Sequence, residues 1–325
     1  MGGTNSFWKY NPFVPNWLNF FSQAWNSSPP KLLETMSIYR PTQNLQGSKL
    51  KEAILEDIPA IVEFWGRFFS VQKSCRCVVP AAHLGMMITK KLWEVLIVYR
   101  EQSHEIIGTV VRRRIKNLHI REAKWAEAGV IDYYCVHPAW RARGIGRVLL
   151  DGIHNTAKMP MSPQLIFWEG IHPLYPPLSI GIFLSRVCDK TLNDTQSPVT
   201  KLENTHAESI AAWKNLHLQQ DVWTEESGEE ISFWKTVAGI VVIWNSFHVT
   251  IPEQRLIGCV IGGCPASINL LASSPKSSWG VLILPTNNPL TQDFGPSWNI
   301  DSPYMWLGYN LSIGFISTQF PALGF

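Results

Sequence analysis

Charge is scarce in this sequence. Only 16% of its 325 residues are Asp, Glu, Lys or Arg, against 46% hydrophobic, and the formal net charge is +3. So weak a balance argues against a nucleic-acid partner, and the densest basic run, Arg112-Arg113-Arg114, is short enough to be a strand end or a rim beside phosphates. No apolar run approaches the length of a membrane span, and the first residues lack the charged-then-apolar layout of a signal peptide, so the expectation is a cytoplasmic protein. Six cysteines (Cys75, Cys77, Cys135, Cys188, Cys259, Cys264) show no Cys-x-x-Cys spacing, and the histidines are scattered without ligand spacing. The expectation is therefore no metal, no disulfide framework, and reduced, mostly buried thiols. The 15 Trp and 15 Phe suggest instead a thick core or an apolar ligand pocket, in a chain long enough for two domains.

What is present concentrates in Val130–Leu150, VIDYYCVHPAWRARGIGRVLL, which reads as a buried strand, a turn and a helix. A pyrophosphate needs several main-chain N–H groups, a helix N-terminus behind them and no Cβ atoms in the way. Gly144 and Gly146 remove Cβ atoms, and Arg141 and Arg143 add charge-assisted donors on either side of Ala142. Ile145, Leu149 and Ile153 recur at i+4, so the helix is expected from about Gly144. Neither G-x-G-x-x-G nor G-x-x-x-x-G-K-[ST] fits. The Arg-x-x-Gly-x-Gly order, after a strand ending Cys135-Val136-His137-Pro138, resembles the acyl-CoA pyrophosphate loop of the GNAT acyltransferase superfamily.

Two stretches of the chain look alike. Residues 57–69 predict a helix capped by Asp57 with Pro59 in its first turn, and Thr205-His206-Ala207-Glu208 has capping-box spacing before the stripe Ile210, Trp213 and Leu216. After the first come Leu92–Tyr99 and Ile106–Val111; after the second come Ile240–Trp244 and Leu256–Ile261. Each second strand carries an Ile-Gly step, which reads as an internal duplication. The polar stretch Lys190–Lys201, holding Pro198, reads as the linker.

The same strand and loop also resemble those of eukaryotic N-myristoyltransferases, a tandem GNAT family, through Cys135-Val136-His137, Arg141, Val148 and Leu149. Phe7-Trp8 before Pro12 and Val14-Pro15 is similar to that family's N-terminal arm, and Tyr304–Asn310 to its last core strand. Pro138 and Ala139 stand where the family carries lysines, and Trp168-Glu169-Gly170 replaces a small-residue segment facing the peptide. The resemblance implies an α+β fold of tandem GNAT units, mixed central sheets flanked by helices. Residues 1–48 would form an arm over the acyl-CoA site, 49–195 the CoA-binding GNAT domain, and 196–325 a degenerate GNAT-like domain walling an acceptor groove.

It also implies acyl transfer from a CoA thioester, myristoyl-CoA or acetyl-CoA, to a free amine of a protein or peptide. Phe7, Trp8, Tyr134, Cys135, Val136, Arg141, Ala142, Arg143, Gly144, Ile145 and Gly146 are the expected acyl-CoA contacts. The oxyanion is expected at main-chain N–H groups where the strand bulges at Tyr133 and Tyr134. The base is expected to be either the C-terminal carboxylate of Phe325, as the family implies, or Asp132, which strand alternation places on one face with Val130, Tyr134 and Val136. Cys135 and His137 also share a strand face, but direct transfer needs no thiol nucleophile. Two rival readings are a GNAT acetyltransferase of a protein or small-molecule amine and a non-catalytic acyl-CoA or peptide binder. Met1-Gly2-Gly3-Thr4-Asn5-Ser6 fits an N-myristoylation pattern, and acylation of Gly2 would give weak, reversible membrane association.

Overall fold

The computed structural model describes residues 31–32, 45, 47–69, 75–120, 123–155, 162–169, 179–193, 198–215, 230–286, 295–308 and 311–312. In the first half these form β1 (Lys31–Leu32), β2 (Ser48–Glu52), α1 (Ile58–Phe68), β3 (Cys75–Cys77), α2 (Ala81–Thr89), β4 (Trp93–Arg100), β5 (Ile106–Ile120), β6 (Ala123–Val136), α3 (Ile145–Asn155), β7 (Gln164–Glu169) and β8 (Ser179–Val187). The second half holds β9 (Thr200–Leu202), α4 (Ala207–Asn215), β10 (Ile231–Thr236), β11 (Gly239–Thr250), β12 (Leu256–Gly262), α5 (Pro265–Ser273), β13 (Val281–Thr286), β14 (Asn299–Gly308) and β15 (Leu311–Ser312). The fold is α+β.

One 13-stranded sheet runs β2-β4-β5-β6-β7-β14-β8-β13-β12-β11-β10-β9, with β3 added to β11. Antiparallel β2-β4-β5-β6, then α3 and the parallel partner β7, recur as antiparallel β9-β10-β11-β12, then α5 and the parallel partner β13. By topology β11 and β12 correspond to β5 and β6. The strand pairs matched from sequence are thus one strand out of step, because the Ile-Gly steps sit on β5 and on β12. Two strands cross the molecule: β14 inserts between β7 and β8, and β3 pairs with Ser246-flanking residues of β11 at His248–Thr250. Neither half closes its sheet without the other.

Helix α1 forms because Ile58, Ile61, Phe64 and Trp65 make one buried stripe and Pro59 fits the first turn. Asp57 does not cap it as expected; its carboxylate turns back to accept from the Ile54 N–H at 3.0 Å and from Lys51 Nζ at 2.8 Å. At α4 the expected capping box is replaced by His206, whose Nδ1 accepts the Glu208 N–H at 3.2 Å, while the Glu208 carboxylate pairs with Lys235. Helix α3 buries Ile145, Val148, Leu149 and Ile153 against Leu96, Val98, Ile107, Val110 and Ile131. Helices α1 and α2 cover the opposite face, where Trp65, Leu84, Met87, Trp93, Tyr133 and Phe247 pack together. Phe247 comes from the second half, so this second cluster is shared by both.

Candidate active site

Strands β6 and β7 pair only at Gly129–Gln164, Val130–Leu165 and Ile131–Ile166, although both continue beyond. Where they part, β6 bulges: Val111 lies opposite Asp132 and Thr109 opposite Cys135, so Val110 alone faces Tyr133 and Tyr134. Tyr133 takes φ of 46°, a left-handed conformation that a bulky residue adopts only when its surroundings impose it. On a regular strand Ile131 and Tyr133 would share a face. Here Ile131 packs under α3 while Tyr133 and Cys135 pack under α1 and α2, so the bulge reverses the alternation assumed from sequence.

The imposing groups are identifiable. Trp65 Nε1 donates to Thr109 Oγ1 at 2.9 Å, and that hydroxyl donates to the Tyr133 carbonyl at 3.1 Å. The Tyr133 N–H donates to Asp132 Oδ1 at 2.7 Å, and its ring lies 4.4 Å from Trp65, 5.1 Å from Phe69 and 5.3 Å from Trp93. Of the two main-chain donors expected at the bulge, Tyr133's is therefore engaged by Asp132, and Tyr134 stands between it and the register resumed at Cys135.

From Val136 the chain enters the loop. His137 Nδ1 accepts the Ala139 N–H at 3.1 Å across a 3-10 turn, Pro138–Trp140, and Arg141 Nε donates to the Val136 carbonyl at 3.2 Å. Ala142 at φ 61° and Gly144 at φ 83° then turn the backbone before α3 begins at Ile145, one residue after the expected start. Left-handed residues before a helix N-terminus form a concave set of N–H groups suited to an anion. Arg141 and Arg143 are exposed there, and the Arg143 and Arg100 guanidinium groups lie 4.9 and 5.4 Å from the Trp140 ring. Loop and bulge form one unit, since a Cβ at Gly146 would overlap the Tyr134 hydroxyl. The donor set fits a pyrophosphate. Burial pushes the Cys135 thiol up to about 12 against the opposing effect of Arg141, which keeps it protonated and unsuited to nucleophilic attack.

The Arg112–Arg114 run lies mid-strand in β5 rather than at a strand end or rim. Arg112 Nη2 binds both Glu94 oxygens at 2.6 Å, and Arg114 pairs with Glu127 at 2.8 Å. Arg113 is buried between the Trp93 and Trp244 rings at 5.2 and 5.0 Å, donates to Asp132 Oδ2 at 3.2 Å, and lies 3.8 Å from Glu230. Glu230 in turn binds His83 Nε2 at 2.9 Å. Burial works against the Arg113 charge, but Glu230 and Asp132 outweigh it and raise its pKa. Asp132, a candidate base from sequence, thus has one oxygen on the Tyr133 N–H and the other on Arg113. This ionic cluster joins the two halves under the bulge, and sequence reasoning missed it; the one trace was a basic run in an otherwise apolar strand. His248, one of the histidines without ligand spacing, is buried within electrostatic reach of Asp132.

Phe7, Trp8 and Phe325 lie outside the described residues. Among the described residues no group of three or more His, Cys, Asp or Glu is placed to hold a metal ion, and no helix is long and apolar enough to cross a membrane.

No family model and no curated protein sequence matches the chain. Solved structures do. Saccharomyces cerevisiae N-myristoyltransferase with bound myristoyl-CoA matches 97% of this chain and 94% of its own, with a TM-score of 0.66 at 13% identity. The same enzyme with myristoyl-CoA and inhibitors matches 97% and 91%, with a TM-score of 0.69 at 12% identity. A putative acetyltransferase from Pyrococcus horikoshii matches 87% of this chain and 96% of its own, with a TM-score of 0.54 at 10% identity. The shared property is the fold, over nearly the whole chain.

Proposed function

We propose that this chain, which has the fold of N-myristoyltransferase, is an acyl-CoA-dependent N-acyltransferase that moves a fatty acyl group onto the N-terminal glycine amine of a protein. The observation that carries the reading is the parting of β6 from β7 beside the bulge, with the arginine loop at the start of α3 at its end. Unpaired strand edges offer N–H and C=O groups to the amide-bearing arm of a CoA, as a missing strand would. Arg141, Arg143 and the loop N–H groups take the pyrophosphate, with Ala142, Gly144, Ile145 and Gly146 supplying the backbone. The Tyr134 N–H is the bulge donor left for the developing oxyanion, and Tyr133 and Asp132 hold it in place. The second half, 196–325, supplies the far wall of the acceptor groove, and residues 1–48 the arm over the acyl chain.

The test is native mass spectrometry of the full chain after incubation with equal acetyl-CoA and myristoyl-CoA, followed by turnover with glycine-starting peptides. Retained myristoyl-CoA and an acylated glycine amine support the reading. Preference for acetyl-CoA moves the chain to the acetyltransferases. Retention without acylation of any amine makes it a binding protein, and no retention removes the cradle from which the reading starts.

A further inference from the structure

The reaction just proposed requires a base, and His248, buried beside the bulge, has the chemistry for it. His248 lies on β11 at a second bulge: Asn245 is opposite Gly258 and His248 opposite Ile257, so Ser246 and Phe247 are unmatched. Phe247 takes φ of 53°, and its N–H donates to Asn245 Oδ1 at 2.9 Å. The two bulges stand together. Phe247 packs in the same cluster as Tyr133, and the Phe69 ring lies 5.1 Å from Tyr133 and 5.8 Å from His248.

His248 is 4% exposed, and its Nδ1 lies 2.7 Å from the Ser246 carbonyl oxygen. A carbonyl only accepts, so Nδ1 carries the hydrogen and Nε2 holds the lone pair. Nε2 is buried and has no hydrogen-bond partner among the described residues. A buried acceptor left unmet is uncommon and points to a ligand that completes it.

We infer that His248 Nε2 is the base that takes the first proton from the acceptor's ammonium group. This rests on the acyltransferase reading above. Burial pushes the imidazole pKa down against the Ser246 carbonyl and the Asp132 carboxylate, so the proton-accepting form prevails at neutral pH. Around it, Cys77 on β3 is its register partner and is pushed up to about 12 by burial, Tyr133 on β6 is neutral for the same reason, and Asp132, held by Arg113 of β5, is the charge that steadies an imidazolium. In the step, the ammonium nitrogen gives one proton to Nε2 and its freed lone pair forms the C–N bond at the thioester carbonyl. The C–S bond then breaks, sulfur leaves with the electron pair and takes the second nitrogen proton as the thiol, and the imidazolium returns its proton to solvent.

The test uses the full chain and His248→Asn, whose amide N–H replaces Nδ1 on the Ser246 carbonyl while removing Nε2. With the acyl-CoA that the wild type retains and a glycine-starting peptide, kcat should fall about 100-fold or more near pH 7. Acyl-CoA retention should be unchanged, and the loss should shrink as the pH rises past the amine's own pKa, about 8, because a free amine needs no base. An equal kcat, or a loss that does not vary with pH, overturns the inference while leaving the acyltransferase reading intact. If the variant fails to retain acyl-CoA, the wild-type profile decides: kcat must fall tenfold per pH unit below a single pKa under the ordinary 6.5, and the absence of that limb overturns the inference. A wild type that retains acyl-CoA yet acylates no amine removes both readings.

Discussion

Replacing Thr109 with Val tests whether the bulge at Tyr133 is held by a specific pin or merely by packing. The exchange keeps the branched shape and removes one hydroxyl from a residue with no exposed surface. That hydroxyl accepts from Trp65 Nε1 at 2.9 Å and donates to the Tyr133 carbonyl at 3.1 Å. Its loss strands an indole N–H and a carbonyl in a buried aromatic cluster. Each stranded group costs about 1–3 kcal/mol, so the pair should cost about 2–5 kcal/mol. With a urea slope near 3 kcal/mol/M, the unfolding midpoint should drop by roughly 1 M. The assay is urea unfolding followed by tryptophan fluorescence, for Thr109→Val, Trp65→Phe and the double variant. Both single changes break the same bond, so the double variant should cost less than their sum by about 1 kcal/mol or more. Acyl transfer should fall about tenfold or more with acyl-CoA retention preserved, because the bulge donor is displaced rather than the loop. A midpoint shift under roughly 0.3 M, or strict additivity, would refute the pin and leave packing alone as the source of the left-handed Tyr133.

Arg113→Met removes the cation between Asp132 and Glu230 and leaves two buried carboxylates facing each other, which should cost about 3–5 kcal/mol in the same unfolding assay; the exposed Arg67–Glu63 pair, with side chains 67% and 61% accessible, should show at most about 0.5 kcal/mol on Arg67→Ala. Gly146→Ala places a Cβ on the Tyr134 hydroxyl and should weaken acyl-CoA binding about tenfold by calorimetry, at an overpacking cost of about 1–3 kcal/mol, whereas unchanged affinity would separate Tyr134 from the loop. Burial, with Arg112 adding to it, pushes His154 down to about 3 from 6.5, and both ring nitrogens are inaccessible although the residue is partly exposed. The unfolded chain therefore binds the extra proton first, and this contribution to stability falls as the pH drops from 6.5 towards 3. His154→Gln should flatten the acid side of the urea-midpoint profile by about 1.4 kcal/mol per pH unit in that window, and an unchanged slope would show that His154 is not buried neutral.

Parts whose physics is local could be read from the residues alone. The loop at Arg141–Gly146 and the helix after it were legible because glycines, arginines and an i+4 stripe act over a few residues, and α3 starts within one residue of the expected place. The helices at Ile58 and Ala207 followed in the same way, from spacing and punctuation, while the α+β class was what the family resemblance implied. What sits under the bulge depends on the assembled fold. Strand alternation put Asp132 on a face with Tyr134, but the reversal at Tyr133 comes from Trp65 and Thr109, which are 68 and 24 positions away in the chain. The pairing of Arg113 with Glu230 spans more than a hundred residues, and it makes a buried clamp of a basic run read from sequence as a strand end or a rim beside phosphates. His248 carried no motif, and its lone pair became visible only when Ser246 fixed its tautomer and the second bulge set it beside the first. Periodicity reports which side chains share a face of one element; it holds no information on which distant element supplies the partner, and in this chain that information assembles the chemistry.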